Sequence, residues 1–344
     1  MDEPAADDGM LDALRQVPGA VSRTYLAPGV KVMFESINKN ACTSLKWMMA
    51  DLAGEDLDTF QAGWQPFTSH TDAVHNRNLW KASPRLDRLS PEARAEIGPD
   101  HGWFVFAVVR DPRVRVFSAW QNRLLMQIPI AQQYREEWWY PRHPVTRESV
   151  LEDFAKFVDL LDQHPEHKVR AKDPHFRDQV ELLAEHAIPY TRIYDISEMG
   201  QLRADLAAHL AAQGHARELH IPKANPTPLR AIGAAFEGGV REKIERVYAA
   251  DFERFGDRWD FAKVENAAPW RDADLDACES ESELSLRIYE LHELARSQRE
   301  AAEQARARVA ELEAELRARD THAADADAGG LIARVRRRGS RRAR

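Results

Sequence analysis

The chain has 344 residues, of which 44% are hydrophobic and 30% charged, so it can bury the core of one large domain or two modest ones. Its longest clearly apolar run, Trp103 to Val109, is far shorter than the roughly 20 residues that cross a bilayer. The acidic N-terminus does not fit a secretory signal, and two cysteines, Cys42 and Cys278, cannot form a disulfide framework. These features argue against a membrane-spanning or secreted protein, and we expect a cytoplasmic one.

The net charge of −8 is unevenly distributed, because residues 334–344 hold seven arginines and no acid, which leaves −15 on the remainder. An acidic body is a poor general binder of polyanions, so we expect no specific nucleic acid, and a local cluster of donors for any anionic ligand. The arginines predict either a disordered solubilising tail or a contact with an acidic partner or an anionic membrane. In the last case the protein would lie peripherally at the inner face of the membrane.

Hydrophobic patterning predicts the order of the elements along the chain. A flexible acidic leader is expected over residues 1–24, with one weak amphipathic turn at 11–17. Buried strands are predicted at 30–34, 103–109 and 190–194. Helices are predicted at 45–52, 114–126, 151–161, 179–186, 201–213 and 240–255, and a proline-rich loop at 221–228. Strands that alternate with helices predict an α/β fold with a mainly parallel sheet.

A heptad repeat begins at residue 284, with ten seam positions in alternating steps of four and three, nine of them apolar. These positions are Leu284, Ile288, Leu291, Ala295, Gln298, Ala302, Ala305, Val309, Leu312 and Leu316. The pattern predicts a coiled coil over 280–320 and hence a homodimer. Because three alanines weaken the seam, a single solvated helix docked on the body is the alternative. After Gly329 and Gly330 we expect no ordered structure, and the arginine-rich tail, 321–344, is predicted to be disordered.

The polar loop that follows the first predicted strand has the features of an anion site. A loop that leaves a buried strand and opens a helix directs free backbone N–H groups at one point, where the helix dipole adds positive potential. Lys39 adds a full charge, and Thr43 and Ser44 add hydroxyl donors. No glycine occurs between Val30 and Gly54, so this is not a Walker A loop. An ordinary helix cap beside a surface lysine is the alternative.

A second group of polar residues follows the strand predicted at 103–109. Arg110 lies at its C-terminal end, where open α/β sheets bind ligands. Asp111 and Pro112 suit the start of the next helix, and Ser118 comes about two turns later. A guanidinium and a hydroxyl in this arrangement suit a terminal phosphate, because arginine binds phosphate oxygens bidentately. A structural pair of Arg110 with Asp111 is the alternative.

Taken together, the two motifs resemble those of the carbohydrate sulfotransferases. The first motif consists of Asn38, Lys39, Asn40, Ala41, Cys42, Thr43 and Ser44, and the second of Val109, Arg110, Asp111, Pro112 and Ser118. Segments 173–179, 193–198 and 244–256 are also similar to this family, so the resemblance covers roughly residues 30–260. It implies a sulfotransferase domain over 25–265 with a P-loop-like, three-layer core.

The resemblance also implies a co-substrate, 3′-phosphoadenosine 5′-phosphosulfate (PAPS). The first motif would hold its 5′-phosphosulfate, and Arg110 and Ser118 its 3′-phosphate. Lys39 would stabilise the bridging oxygen during in-line transfer, and no metal is expected because the sulfuryl group carries less charge than a phosphoryl group. The Golgi members of the family carry a membrane anchor and disulfides, and their absence here argues against a luminal compartment.

An acceptor hydroxyl needs a general base. His70 and His75, in the irregular stretch after the first helix, are the leading candidates, and Glu35 and His175 follow them. Zinc binding by the first two is disfavoured, because no third ligand lies nearby.

The acceptor itself is expected to be a glycan or a glycolipid. Trp138, Trp139 and Tyr140 could form an aromatic shelf for a sugar ring, or simply pack on the body. Lys223 and Asn225 could close over the nucleotide. The alternative to an enzyme is a non-catalytic nucleotide- or anion-binding module whose coiled coil and tail recruit a partner, and a P-loop kinase is disfavoured by the missing glycines.

Overall fold

The computed structural model describes residues 9–17, 19–62, 70–224 and 227–340; of residues 59, 61, 62, 70, 71 and 318–340 it describes the backbone alone. Two compact units divide the chain, 1–286 and 287–344. The first unit contains the sheet and every predicted site residue. The second consists, in its described part, of helix.

The sheet has four strands in chain order: Thr24–Ala27 (β1), Val32–Glu35 (β2), Phe104–Val109 (β3) and Arg192–Asp195 (β4). β2, β3 and β4 are parallel, and β1 pairs antiparallel with β2. The prediction of an α/β fold with a mainly parallel sheet is therefore confirmed. β1 was not predicted, because it begins at Thr24, at the end of the segment assigned as a leader.

Fourteen α-helices are assigned in the described part of the chain. They are α1 Gly9–Gln16, α2 Ala20–Arg23, α3 Cys42–Ala53, α4 Leu57–Ala62, α5 Pro91–Ala95, α6 Pro112–Trp120, α7 Arg147–Gln163, α8 Lys168–Lys172, α9 Gln179–Leu183, α10 Met199–Ala212, α11 Val240–Val247, α12 Ala249–Phe255, α13 Ala262–Glu265 and α14 Asp272–Ser340. The closing helix predicted at 240–255 is two helices, interrupted at Tyr248, whose buried hydroxyl donates to the carbonyl of Phe176 at 2.9 Å.

Side-chain alternation along the buried strands produces three layers. In β3, Phe106 and Val108 face α3 and α10, while Val105 and Ala107 face the opposite side. That opposite layer contains α1, α9 and α12. A separate aromatic cluster packs α6 against α7 and α11 and thereby fixes the helix that follows Arg110.

The N-terminal segment differs from the predicted leader. Leu11 and Leu14 of α1 are buried, and Leu14 packs in the same cluster as Leu26 of β1 and Met33 of β2. The prediction of a flexible leader is therefore wrong for the described residues from 9 onward, because these apolar side chains complete one face of the sheet. Residues 1–8 lie outside the described part.

The C-terminal helix α14 is 69 residues long and ends at Ser340. It continues through Gly329 and Gly330, where the sequence predicts an end to ordered structure. Arginine and alanine favour helix, and two glycines cost only about 1 kcal/mol each relative to alanine. Leu291, Val309 and Leu316 of the heptad seam are exposed. The coiled coil remains a prediction. No described helix has a stretch long and apolar enough to span a membrane.

Candidate active site

The loop between β2 and α3 turns through two left-handed residues. Lys39 has a φ of 69° and Ala41 a φ of 56°, so the backbone adopts here the conformations that glycines usually supply. Ala41 is the N-cap of α3 and provides no side-chain hydrogen bond. The N–H groups of Cys42, Thr43 and Ser44 in the first helical turn therefore remain available, and together with the helix dipole they favour an anion.

Asn40 ties this loop to the neighbouring strand. Its buried amide donates to the carbonyl of Val108 at 2.9 Å and to Oε1 of Gln179 at 2.7 Å. The same Gln179 oxygen accepts the backbone N–H of Arg110 at 3.0 Å, and Nε2 of Gln179 donates to the carbonyl of Arg110 at 2.8 Å. Gln179 thus holds the ends of both motifs together, a role that sequence reasoning did not assign.

A buried arginine holds the other side of the loop. Arg115 is 1% exposed, and its guanidinium donates to the carbonyls of Asn38 at 3.1 Å, Arg177 at 2.8 Å and Pro174 at 3.0 Å. Three carbonyl acceptors therefore replace the hydration of this cation. Sequence reasoning also missed this residue, which fixes the anion loop against the segment that contains His175.

Two cations at the loop lack an anionic partner. Lys39 is half-buried and makes no hydrogen bond or ion pair with the residues described. Burial lowers its pKa to about 8, with Arg110 and Arg123 contributing by repulsion. Nη1 of Arg110 donates to the carbonyl of Lys39 at 3.2 Å, and no described carboxylate lies within ion-pair distance of this guanidinium. Asp72 favours the charged form of Lys39, and Asp111 and Asp195 that of Arg110, but neither cation has a direct ion pair among the described residues. Positive charge without a direct partner thus lies at the open end of α3, an arrangement that suits an anionic ligand.

The other residues predicted to bind the co-substrate make fewer contacts. Ser118 is buried on α6, and its hydroxyl has no hydrogen bond within the described part of the chain. Oγ of Ser44 accepts the N–H of Ala224 at 3.3 Å, so the loop of Lys223 touches the first turn of α3. Lys223 itself is exposed. Asn225 lies outside the described residues.

His75 lies beside α3 with both ring nitrogens engaged. Nε2 is 3.0 Å from Oγ1 of Thr43, and Nδ1 is 3.0 Å from Nζ of Lys46. Lysine can only donate, so Nδ1 must accept. No lone pair remains to remove a proton from an acceptor, which contradicts the prediction of a base at His75. His70 opens the same 3₁₀ segment, but its side chain is not described, and its assignment as the base stays a prediction.

His175 also has both ring nitrogens engaged, but its partners are a carboxylate and a neutral amide rather than a hydroxyl and an ammonium. Nδ1 is 2.6 Å from Oδ1 of Asp173, whose other oxygen is 3.1 Å from Nε of Arg123. Nε2 is 3.1 Å from Nδ2 of Asn38. The carboxylate retains the proton on Nδ1, so the lone pair is on Nε2, where it accepts a hydrogen bond from the neutral amide of Asn38 in the anion loop. Burial lowers the pKa of His175 to about 4, against the opposing effect of Asp173, and keeps the ring neutral at pH 7.

The sequence model of the Sulfotransferase family matches residues 22–256, which is more than half of the chain. The chain belongs to the sulfotransferase family. The match begins just before β1 and ends after α12, so it contains both motifs and the Asp173–His175 pair. Searches of curated proteins and of solved structures give no match.

Glu35, another candidate for the general base, is held by neighbouring residues of this sulfotransferase. It is fully buried at the end of β2, where Oε1 lies 3.2 Å from Nε of Arg23 and Oε2 accepts the hydroxyl of Thr24 at 2.9 Å. Burial raises its pKa to about 7, although the charge of Arg23 opposes the shift. Both oxygens are thus occupied by the protein, and the carboxylate offers no open side to an acceptor.

The aromatic segment near the site presents one ring to solvent. Trp139 and Tyr140 are buried, whereas Trp138 is 51% exposed, so of the two alternatives packing on the body holds for Trp139 and Tyr140. Trp139 packs 5.3 Å from the ring of Tyr134. After burial, the nearby carboxylate of Asp173 is the main cause that raises the pKa of Tyr134. The ring of Phe157 lies 5.7 Å from that of Trp139 and 4.9 Å from that of Phe176, the residue after His175. The described residues include no group of three or more potential metal ligands.

Proposed function

We propose that this sulfotransferase moves the sulfuryl group of PAPS to a hydroxyl of a glycan or glycolipid. One observation supports it above all: Lys39, without a partner among the described residues, lies at the uncapped start of α3. In this proposal, the first-turn N–H groups and Lys39 bind the 5′-phosphosulfate. Arg110 and Ser118 bind the 3′-phosphate, and the loop of Lys223 covers the nucleotide.

His175 is the general base in this proposal. The acceptor hydroxyl displaces the amide of Asn38 from Nε2, which takes the hydroxyl proton while the acceptor oxygen forms a bond to sulfur. The bond between sulfur and the bridging oxygen breaks, and its electron pair stays on that oxygen. Lys39 stabilises the developing charge there. The products are the sulfated acceptor and adenosine 3′,5′-bisphosphate, and the proton remains on His175 until it is released to water.

The low pKa of His175 fits this role once the donor is bound. A pKa of about 4 keeps the imidazole unprotonated at neutral pH but makes it a weak base. An anion bound beside the imidazole favours the protonated form and raises the pKa. Asp173 stabilises the imidazolium that forms, and it holds the ring with Nε2 toward the loop. The Asp173–His175 pair favours an enzyme over a non-catalytic anion-binding module, which has no need of a base.

The acceptor site in this proposal includes the exposed ring of Trp138. An indole of this kind offers a flat apolar face to a sugar ring, and its neighbour Trp139 packs in the same aromatic cluster as Phe176, the residue after His175. We also propose that the exposed seam of α14 forms a homodimer, and that the arginine-rich tail binds an acidic partner or an anionic membrane.

The deciding experiment incubates the full chain with PAPS that carries labelled sulfur and a panel of oligosaccharides and glycolipids. We expect labelled product with at least one acceptor, formed roughly 10²–10³ times more slowly by Lys39→Met. Tight binding of adenosine 3′,5′-bisphosphate without any transfer, across the panel, would instead support the non-catalytic module. Transfer at the wild-type rate by Lys39→Met would contradict the assignment of the loop.

A further inference from the structure

Three side chains form a continuous hydrogen-bonded chain along one side of α3. Nζ of Lys46 is 3.0 Å from Nδ1 of His75, and Nε2 of His75 is 3.0 Å from Oγ1 of Thr43. Lys46 is 7% exposed, and its ammonium lies 5.0 Å from the ring centroid of Tyr25. Thr43 and Lys46 are three residues apart on the helix, so His75 bridges one helical turn.

Donor and acceptor roles in this chain are fixed by chemistry. An ammonium has donors only, so Nδ1 of His75 accepts from Lys46. A neutral imidazole then carries its proton on Nε2 and donates it to Oγ1 of Thr43. Partial burial and the positive charge of Lys46 lower the pKa of His75 to about 3, so the ring stays neutral at pH 7.

The direction of the hydrogen bond from His75 determines where the hydroxyl proton of Thr43 can be donated. Its oxygen already accepts from His75, so its own hydroxyl proton must be donated elsewhere. No described residue takes that proton, and Thr43 is the second residue of the uncapped helix. The proton is therefore available to the same anion as the first-turn N–H groups, and it becomes a further donor of fixed direction.

We infer that His75 and Lys46 are positioning residues that direct the hydroxyl proton of Thr43 toward the anionic end of the donor. This inference rests on the proposed function, because it needs an anion at the start of α3. His75 does not touch the reacting atoms in this arrangement. It acts through Thr43, and Lys46 acts through His75.

The test measures binding of adenosine 3′,5′-bisphosphate to the full chain by calorimetry. A hydrogen bond to a charged group corresponds to roughly a tenfold or greater change in affinity, so Thr43→Val and His75→Ala should each weaken binding about tenfold. Because His75 acts only through the hydroxyl of Thr43, the double variant should bind no more weakly than Thr43→Val alone. Thr43→Ser keeps the hydroxyl and should bind like the wild type. Losses that multiply to about 100-fold in the double variant would overturn the inference.

Adding imidazole or 1-methylimidazole to His75→Ala distinguishes a positioning role of the His75 ring from a packing role. Imidazole can accept from Lys46 and donate to Thr43, so it should restore binding by His75→Ala. 1-Methylimidazole fills the same space but cannot donate after accepting, and it should not restore binding. Rescue by both compounds would show that only a filled cavity matters. Rescue by neither, in a variant with the wild-type unfolding temperature, would show that a ring able to donate to Thr43 does not restore binding. Either result overturns the inference.

The proposed function fails in a different way. If the wild type does not bind adenosine 3′,5′-bisphosphate at all, the assignment of the donor site is wrong, and the inference has no ligand to act on. If the wild type binds and transfers sulfate while the two variants combine multiplicatively, only the inference is wrong. Lys46→Met provides a last check, since it should weaken binding in the wild-type background and have no effect in His75→Ala.

Discussion

The charged side chains of the anion loop and those of the C-terminal helix differ in whether they have ion-pair partners. At the loop, Lys39 and Arg110 have no described carboxylate partner. On α14, Arg296 lies 2.5 Å from Glu293, and Arg308 lies 2.9 Å from Glu311. A surface helix satisfies its charges within a turn, whereas a site leaves them for a ligand. The comparison predicts that substitutions at the loop change chemistry and that removal of the helix does not.

The largest effect should come from His175, whose partners are a carboxylate and a neutral amide, whereas Nδ1 of His75 accepts from the ammonium of Lys46. Without a general base the rate of transfer falls by roughly 10²–10⁴, so His175→Ala should lose that factor in kcat. Binding of adenosine 3′,5′-bisphosphate should change little, because this product makes no demand on a base. Rapid-quench kinetics with labelled PAPS measures the first quantity and calorimetry the second.

Asp173→Asn is the matched variant for His175. It keeps the size of the side chain but removes the charge that stabilises the imidazolium, so its loss in kcat should be smaller than that of His175→Ala. A His175→Ala protein that is folded and retains wild-type kcat would exclude this base and return attention to His70.

Lys39 should give the next largest effect. Its charge matters most when the bridging oxygen begins to leave, so Lys39→Met should lower kcat and kcat/KM together, by roughly 10²–10³ as for the loss of one oxyanion donor. Ser44→Ala is the control and should perturb binding and turnover by smaller, similar factors. A rise in KM for PAPS with unchanged kcat would make Lys39 a binding cation alone.

Arg110 should act on binding. A hydrogen bond to a charged group is worth roughly 1.5–3 kcal/mol, so Arg110→Ala should weaken adenosine 3′,5′-bisphosphate by about 10-fold to 100-fold. Arg192→Ala is a suitable control, because this exposed arginine at the start of β4 pairs with Glu198 and Asp205. Equal affinities of Arg110→Ala and the wild type, measured by calorimetry, would contradict the placement of the 3′-phosphate.

The dependence of kcat/KM on pH tests whether the unpaired charge of Lys39 is needed. The pKa of Lys39 is lowered to about 8 in the free protein, and the site needs the protonated form. The charge is lost as pH rises through this pKa, so kcat/KM for PAPS should fall above pH 8, roughly tenfold per pH unit. Lys39→Arg keeps its charge throughout this range and should show no such decline. An identical alkaline decline in Lys39→Arg would assign the titration to another group.

Local patterns allowed much of this structure to be predicted. The apolar runs that became β2 and β3 are read directly from the sequence, and so are the loop that follows β2 and Arg110 at the end of β3. These features depend on neighbouring residues. The order of strands and helices was enough to predict a mainly parallel sheet.

Contacts between distant residues could not be predicted in this way. Asn40 meets Gln179 across 139 positions, and Asn38 meets His175 across 137. Nothing local distinguishes Arg115 as a buried ligand of three carbonyls. For the same reason His75 resembled a base until Lys46 and Thr43 proved to occupy its nitrogens.

The smallest effect on the site should come from removal of residues 287–344, the second compact unit. Leu275 and Cys278 of α14 are buried in the core of the first unit, so a cut after residue 286 keeps them. The truncated protein should bind adenosine 3′,5′-bisphosphate and transfer sulfate like the full chain, because every site residue precedes the cut. In sedimentation experiments the full chain should run as a dimer and the truncated one as a monomer, since the exposed apolar seam has been removed. Two monomers would show that the seam is a solvated helix, and a loss of transfer on truncation would show that the charge-paired helix serves the site after all.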